Sequence, residues 1–319
     1  MSHSGEFEID VLLLNLLASP WSMMQDQMDV MVRVLARRYA GKRGWQDEGV
    51  VVIADQDVPR GSPVLLGQVA VMPLTGILCP RGNLLVDSSG FTSLEMWVRA
   101  FERLVADEEV KAIVFDVDSP GGNHAGVPEA AAAVFAARKQ KPMVAVSNYL
   151  NASAAYFIAS QAHQVVGAAS SVTGSIGVYT IHRNLQAALE AEGIDVTTIF
   201  AGKYKAELHS GHPLSDEARA FVQSQVDLCY GQFTQAVARG RGVSQARVRS
   251  GYGEGRALCA DDAFSAGLLD RIETLEQVIA RLSGVRGRNA VLRSRMDPDE
   301  RAAHVADEIV SQVTQGVPA

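Results

Sequence analysis

The sequence predicts an α/β fold: a mostly parallel sheet flanked by helices, with a helical arm before it and a helical tail after it. Three observations predict this. Short apolar runs rich in β-branched residues alternate with helix-like stretches, the pattern of strand–helix–strand units whose strands lie parallel. Some runs are near-continuous in apolar residues, such as Ala112-Ile-Val-Phe115, which suits strands covered on both faces. And 319 residues, 47% hydrophobic and 20% charged, are enough to bury a core without disulfide staples.

Three regions follow in order. The arm spans residues 1–66. From Ser22 to Ala40, Met24, Met28, Met31, Val32 and Leu35 recur at helical spacing and predict a helix, laid on the core or offered as an adaptable binding face. Arg60-Gly-Ser-Pro63 reads as a linker. The domain spans residues 67–283. Its strands are expected at 69–74, 112–117, 143–146, 164–166 and 196–200, and its helices at 93–105, 127–139, 153–160, 184–192 and 215–238. The tail, 284–319, opens with Arg286, Arg288, Arg293 and Arg295. A helix is expected there over 298–313, with Asp297 as cap and Pro298 in the first turn.

Composition excludes several classes. With 36 acidic and 29 basic residues the net charge is −7, so the chain lacks the basic excess of a general nucleic-acid binder. The three cysteines, Cys79, Cys229 and Cys259, form neither a disulfide framework nor a CxxC metal pair, which fits a reducing compartment. No HExxH or other ligand spacing appears among the seven histidines, and Ser119-Pro-Gly-Gly122 lacks the Gly-Lys-Ser/Thr ending of a phosphate loop, so neither metal nor nucleotide cofactor is expected. The apolar run Val11-Leu-Leu-Leu-Asn-Leu-Leu17 is far short of the ~20 residues that span a bilayer. Glu6, Glu8 and Asp10 precede it where a secretory leader would be basic, so a cytoplasmic protein without a membrane anchor is expected.

Four segments hold residues suited to chemistry. Asp116-Val-Asp-Ser-Pro-Gly-Gly-Asn123 follows a buried-type strand, and its glycines let backbone N–H groups approach a ligand; as a Pro-Gly-Gly alone it is also a tight turn. Tyr149-Leu-Asn-Ala-Ser-Ala-Ala-Tyr156 places Ser153 where a strand gives way to an apolar helix. A serine there is either a nucleophile or, as most often, a helix cap. Thr173-Gly-Ser-Ile-Gly177 by itself signals a turn. Ala201-Gly-Lys-Tyr-Lys-Ala206 offers two lysines, ordinarily just solvated. Among the histidines, His182 is a conceivable base for Ser153, and His209 and His212 lie close together.

Taken jointly and in this order, the four segments resemble the serine peptidases of the signal peptide peptidase A family, peptidase family S49. Gly255-Arg-Ala-Leu-Cys-Ala-Asp-Asp-Ala-Phe-Ser-Ala-Gly-Leu-Leu-Asp270 resembles the family's closing segment. The likeness runs from about residue 67 to 282 and implies the ClpP/crotonase-like fold. It implies Ser153 as nucleophile, Lys205 as general base and Ser175 as the serine orienting the lysine amine. The Gly122 N–H, with the Ala154 N–H, would form the oxyanion hole; Gly121 is a close competitor for that role, and Lys203 falls out of the family register. One departure is Ser153-Ala-Ala155, where many cellular members have two glycines after the nucleophile.

The resemblance also implies a peptide or protein substrate and a closed homo-oligomer with active sites near protomer boundaries. Two subgroups fit: cellular signal peptide peptidases, which usually carry an N-terminal anchor, and phage head-maturation proteases that cleave capsid or scaffold proteins. The opening Ser19-Pro-Trp-Ser-Met23 and the extra tail favour the phage subgroup. An acyl-CoA enzyme of the crotonase type, with Glu129 as its carboxylate, is the competing enzyme class, and a scaffold protein on a degenerate protease fold is the competing non-enzyme class.

Overall fold

The computed structural model describes residues 20–24, 28, 62–81 and 91–283. In chain order these form β1 (Trp21–Met23), β2 (Val64–Leu66), β3 (Val69–Cys79), β4 (Phe91–Ser93), α1 (Leu94–Ala106), β5 (Ala112–Asn123), α2 (Val127–Ala137), β6 (Met143–Ala152) and α3 (Ala154–Ala159). Then follow β7 (Gln164–Gly167), β8 (Val172–Gly174), α4 (Gln186–Ala191), α5 (Asp216–Arg241), α6 (Gln245–Gly251), β9 (Ala257–Cys259), α7 (Ala260–Ala266), β10 (Arg271–Ile272) and α8 (Leu275–Ser283).

One sheet holds these strands, in the order β10-β7-β6-β5-β3-β2. From β10 to β3 every neighbour is parallel, and β2 closes that edge as an antiparallel hairpin with β3. The alternation of β5 explains its continuous apolar reading. Ile113, Phe115 and Val117 enter one core, while Ala112 and Val114 enter another with Val69, Val144, Val146 and Val166. The smaller core is capped by Leu275, Val278 and Ile279 of α8; the larger one takes α1, α2, α3 and α5. The expected mostly parallel sheet flanked by helices is thus the fold found.

Capping chemistry fixes the helix ends. Ser93 accepts a hydrogen bond from the Met96 N–H at the start of α1, and Ser215 accepts one from the Ala218 N–H (3.1 Å) at the start of α5. Asp216 and Glu217 lie in the first turn of α5 and Arg239 and Arg241 in its last, each sign matching the helix dipole. The Gln161 amide, buried at the end of α3, donates to the Ala236 carbonyl (2.9 Å) and accepts from Arg239 (2.9 Å). Gly240 allows this approach, since a side chain there would run into the Ser160 carbonyl.

Two expectations need correction. Residues 196–200 form no strand: no described strand pairs with them, and Ile199 is 94% exposed. An apolar β-rich run without a ladder partner leaves its backbone to solvent. Second, the helix expected from Ser22 begins as a strand, because the free edge of β5 at Gly121–Asn123 satisfies the backbone of Trp21–Met23. Met28 is helical; the rest of that helix, the run at 11–17 and the tail helix at 298–313 lie outside the described residues. The short elements β8–β10, α6 and α7 are too brief to show a period, whereas α8 carries Leu275, Val278, Ile279 and Leu282 at helical spacing, a signal outside the helices expected above.

The larger core is anchored by Trp97, which stacks on Phe101 (centroids 5.7 Å apart), tilts against Phe115 (5.4 Å) and donates its indole N–H to the Pro73 carbonyl (3.0 Å). Trp97→Ala is expected to cost about 3–5 kcal/mol, read as a lowered midpoint in urea unfolding with an unchanged slope.

Candidate active site

Ser153 stands between β6 and α3. It is 1% exposed and adopts φ 55°, ψ −120°, a left-handed conformation that an L-residue enters only under strain. Two backbone bonds hold it there: its N–H donates to the Gly174 carbonyl (2.8 Å), and its carbonyl accepts from the Phe157 N–H (2.9 Å). Its hydroxyl does not cap α3 and has no hydrogen-bond partner among the described residues, although it is buried. A capping serine would have its oxygen on the first-turn N–H groups. Strain plus an unbonded buried hydroxyl costs stability twice, which is the signature of a residue kept for chemistry rather than for folding.

The alanines that follow are fully buried, so the Ser153-Ala-Ala155 departure places methyl groups inside the core. Tyr156, also in α3, donates its hydroxyl to the Leu268 carbonyl (2.9 Å) and ties the turn to the chain beyond α7. Behind the turn lies a buried polar chain that the sequence reading did not find. Asn151 donates to the Ser147 hydroxyl (2.9 Å), which also receives Thr173 (3.1 Å). Its signal was present: polar residues interrupt β6 just after the apolar stretch 143–146.

The two glycines of Ser-Pro-Gly-Gly have different surroundings. Gly121, at φ 99°, lies beside Ser153: a side chain there would sit 2.9 Å from the Ser153 β-carbon and 3.0 Å from the Ala154 nitrogen. Gly122 faces away, and a side chain on it would collide with the Leu78 backbone. The Gly121 N–H donates to the Ser119 hydroxyl (3.2 Å).

Ser175 is brought to the same place. It follows Gly174, whose carbonyl receives the Ser153 N–H, and it too has a positive φ (52°), with its N–H on the Arg256 carbonyl (2.8 Å). Lys205 is not brought there within the chain. It lies exposed in a turn with its N–H on the Gly202 carbonyl (3.0 Å), and no hydrogen bond joins it to Ser153. Lys203 is ill suited to act as a base. Its ammonium donates to the Tyr204 hydroxyl (2.7 Å) and to Glu217 (3.0 Å), and these bonds raise its pKa. His182 lines a cavity of about 680 Å³ with Tyr179, Arg219 and Val222; no hydrogen bond joins it to Ser153. His209 and His212 face each other (5.7 Å between rings), and His212 also contacts Thr198 (3.1 Å). Among the described residues no group of acidic, histidine or cysteine side chains is arranged to hold a metal, and no helix is long and apolar enough to cross a membrane.

A strained serine at a strand-to-helix turn, with backbone nitrogens and glycine beside it, defines a class of hydrolase site. Comparison with known proteins narrows the class. The model of peptidase family S49 matches residues 136–287. A protease of Synechocystis sp. is 30% identical over 61% of this chain and 72% of its own length. The capsid assembly protease C of Escherichia phage lambda is 30% identical over 80% of this chain and 61% of its own length. The head-tail preconnector protein GP5 of Enterobacteria phage P21 is 31% identical over 69% and 44%. The chain belongs to peptidase family S49, and it spans less than two thirds of the length of the two phage relatives.

Because glycine adopts the φ of residue 153 without strain, Ser153→Gly should stabilise the fold by about 1–2 kcal/mol. Calorimetry should show a raised Tm. A lowered Tm would mean that the turn is not strained.

Proposed function

We propose that this peptidase is a serine endopeptidase in which Ser153 attacks the scissile carbonyl and Lys205 is the general base. The observation that carries the reading is the Ser153 hydroxyl: buried, unbonded and presented on a strained backbone. A serine hydroxyl needs a base in reach, and a lysine with the ordinary pKa of ~10.4 is almost wholly charged at pH 7. Desolvation can bring a catalytic lysine down to about 7–8. In the isolated chain Lys205 is exposed, so another surface must cover it. Ile199, Phe200, Tyr204 and Leu208, all exposed on the same stretch, make that stretch apolar enough to be covered by a second copy in a closed homo-oligomer.

The steps then follow. The neutral Lys205 amine takes the Ser153 proton as Oγ bonds to the carbonyl carbon, and Ser175 orients the amine. The oxyanion is held by the Ala154 N–H with a glycine N–H. Gly121 lies beside Ser153, while Gly122 is the donor that the family resemblance favours. The lysine returns its proton to the leaving amine as the C–N bond breaks. Water, activated by the same lysine, then hydrolyses the acyl-enzyme and restores the serine. The substrate is a protein of a phage head, capsid or scaffold; the names of the lambda and P21 relatives support that setting.

Ser153→Ala and Lys205→Ala should each lower cleavage of casein or a capsid protein at least about a thousandfold, while Lys203→Ala should retain it. A fluorophosphonate should label wild type and not Ser153→Ala. Equal turnover in wild type and Lys205→Ala, or a monomer by light scattering at full activity, would overturn this assignment.

A further inference from the structure

The strand β1 comes from the arm and lies in an unusual place. It runs antiparallel to the last residues of β5, with Met23 opposite Gly121, Ser22 opposite Gly122 and Trp21 opposite Asn123. Beyond the strand the pairing continues: the His124 N–H donates to the Pro20 carbonyl (3.2 Å) and the Met24 N–H to the Pro120 carbonyl (3.1 Å). On the opposite edge, Trp21 and Tyr179 exchange both backbone hydrogen bonds (2.9 and 3.0 Å). Residues 20–24 are thus held along one edge by 120–124, and Trp21 is held on the other edge by Tyr179, in a slot between the two. All three residues of β1 are buried, at 3%, 0% and 3% exposure.

This slot passes the nucleophile. Gly121, the residue facing Ser153 and Ala154, is also the one whose side chain would strike the Ser22 carbonyl. In an antiparallel ladder the bonded pairs alternate. With 20/124 and 24/120 bonded, Ser22 and Gly122 form the bonded pair between them, and the Gly122 N–H points at the arm. An extended backbone, paired with a strand edge and separated from Ser153 only by the space that Gly121 leaves open, is how a protein holds a foreign peptide by strand addition.

We propose that the slot between 120–124 and Tyr179 is the peptide-binding site, and that residues 20–24 are its resident occupant, which a substrate must displace. The inference rests on the reading of Ser153 as nucleophile and adds a ligand and a regulator to it. The ligand is an extended peptide of about five residues, antiparallel to 120–124. Large apolar side chains are preferred at the places of Trp21 and Met23, and a small polar one at Ser22, whose hydroxyl meets the buried His124 ring (Nδ1 at 3.2 Å).

A reversible lock tests this in the full chain. Trp21 and Asn123 form a non-bonded antiparallel pair, whose Cα separation of about 4.5 Å falls within disulfide range. Trp21→Cys and Asn123→Cys are combined with Ser153→Ala, and with Cys79, Cys229 and Cys259 changed to serine. The probe is a fluorescein-labelled Pro-Trp-Ser-Met-Met peptide, and its binding is read by fluorescence anisotropy. The expected result is at least tenfold weaker binding to the oxidised than to the reduced protein. Equal affinity in the two states, no binding by the reduced protein at millimolar peptide, or failure of the crosslink to form would each overturn the proposal. Binding needs neither Ser153 nor Lys205, so its outcome is separable from the fluorophosphonate and turnover measurements.

Discussion

The hydrogen bond from the Ser153 N–H to the Gly174 carbonyl, 2.8 Å long, ties the turn after β6 to the end of β8. With the bond from Phe157 to the Ser153 carbonyl it leaves residue 153 one backbone conformation, and that conformation has a positive φ. The hydroxyl is thereby turned away from the N–H groups of α3, which would otherwise absorb it as a cap. The same bond brings the backbone of Ser175, the residue after Gly174, next to that of Ser153, so two of the three groups proposed for the reaction are set by one contact.

The rest of the fold keeps that contact rigid. Parallel pairing of β5 with β6 brings Ser119 opposite Asn151, so Ser-Pro-Gly-Gly and the turn at Ser153 emerge side by side at the carboxyl ends of their strands. Small residues make the approach close: Gly121 leaves room beside Ser153, and the alanines after Ser153 are fully buried. Ring stacking of Phe157 on Phe233 (4.8 Å) fixes α3 against α5, and the Gln161 amide pins the other end of α3 to α5. The strain at residue 153 is sustained because nearly every neighbour of the turn is buried and bonded.

The chain is less self-sufficient on the side of the base. Lys205 sits on an exposed apolar stretch with none of the desolvation that its proposed role requires, whereas Ser153 is complete in its burial. The setting of Ser153 is a product of one chain's core; the role proposed for Lys205 requires a surface from elsewhere. Residues 21–23 stand in the same relation to the proposed substrate side, since they pair with the glycine that lies beside Ser153.

The sequence by itself determined the fold class, the main strands and helices, and the family, because near-continuous apolar runs, serine caps and short glycine- and serine-rich motifs are local features that survive in order along the chain. The segment around Ser153 alone left a cap and a nucleophile both open, since both use the same residue at the same kind of junction, and only the ordered set of motifs, through the family resemblance, pointed to the nucleophile. Only the tertiary structure decided that the Ser153 hydroxyl is unbonded among the described residues, that a side chain at Gly121 but not at Gly122 would meet Ser153, and that residues 196–200 have no described strand to pair with. It alone made a strand of Trp21–Met23, where methionines at helical spacing had pointed to a helix. Each of these depends on which distant backbone lies alongside, and a hydrogen-bonding edge about a hundred residues away in the chain leaves no mark on the local pattern.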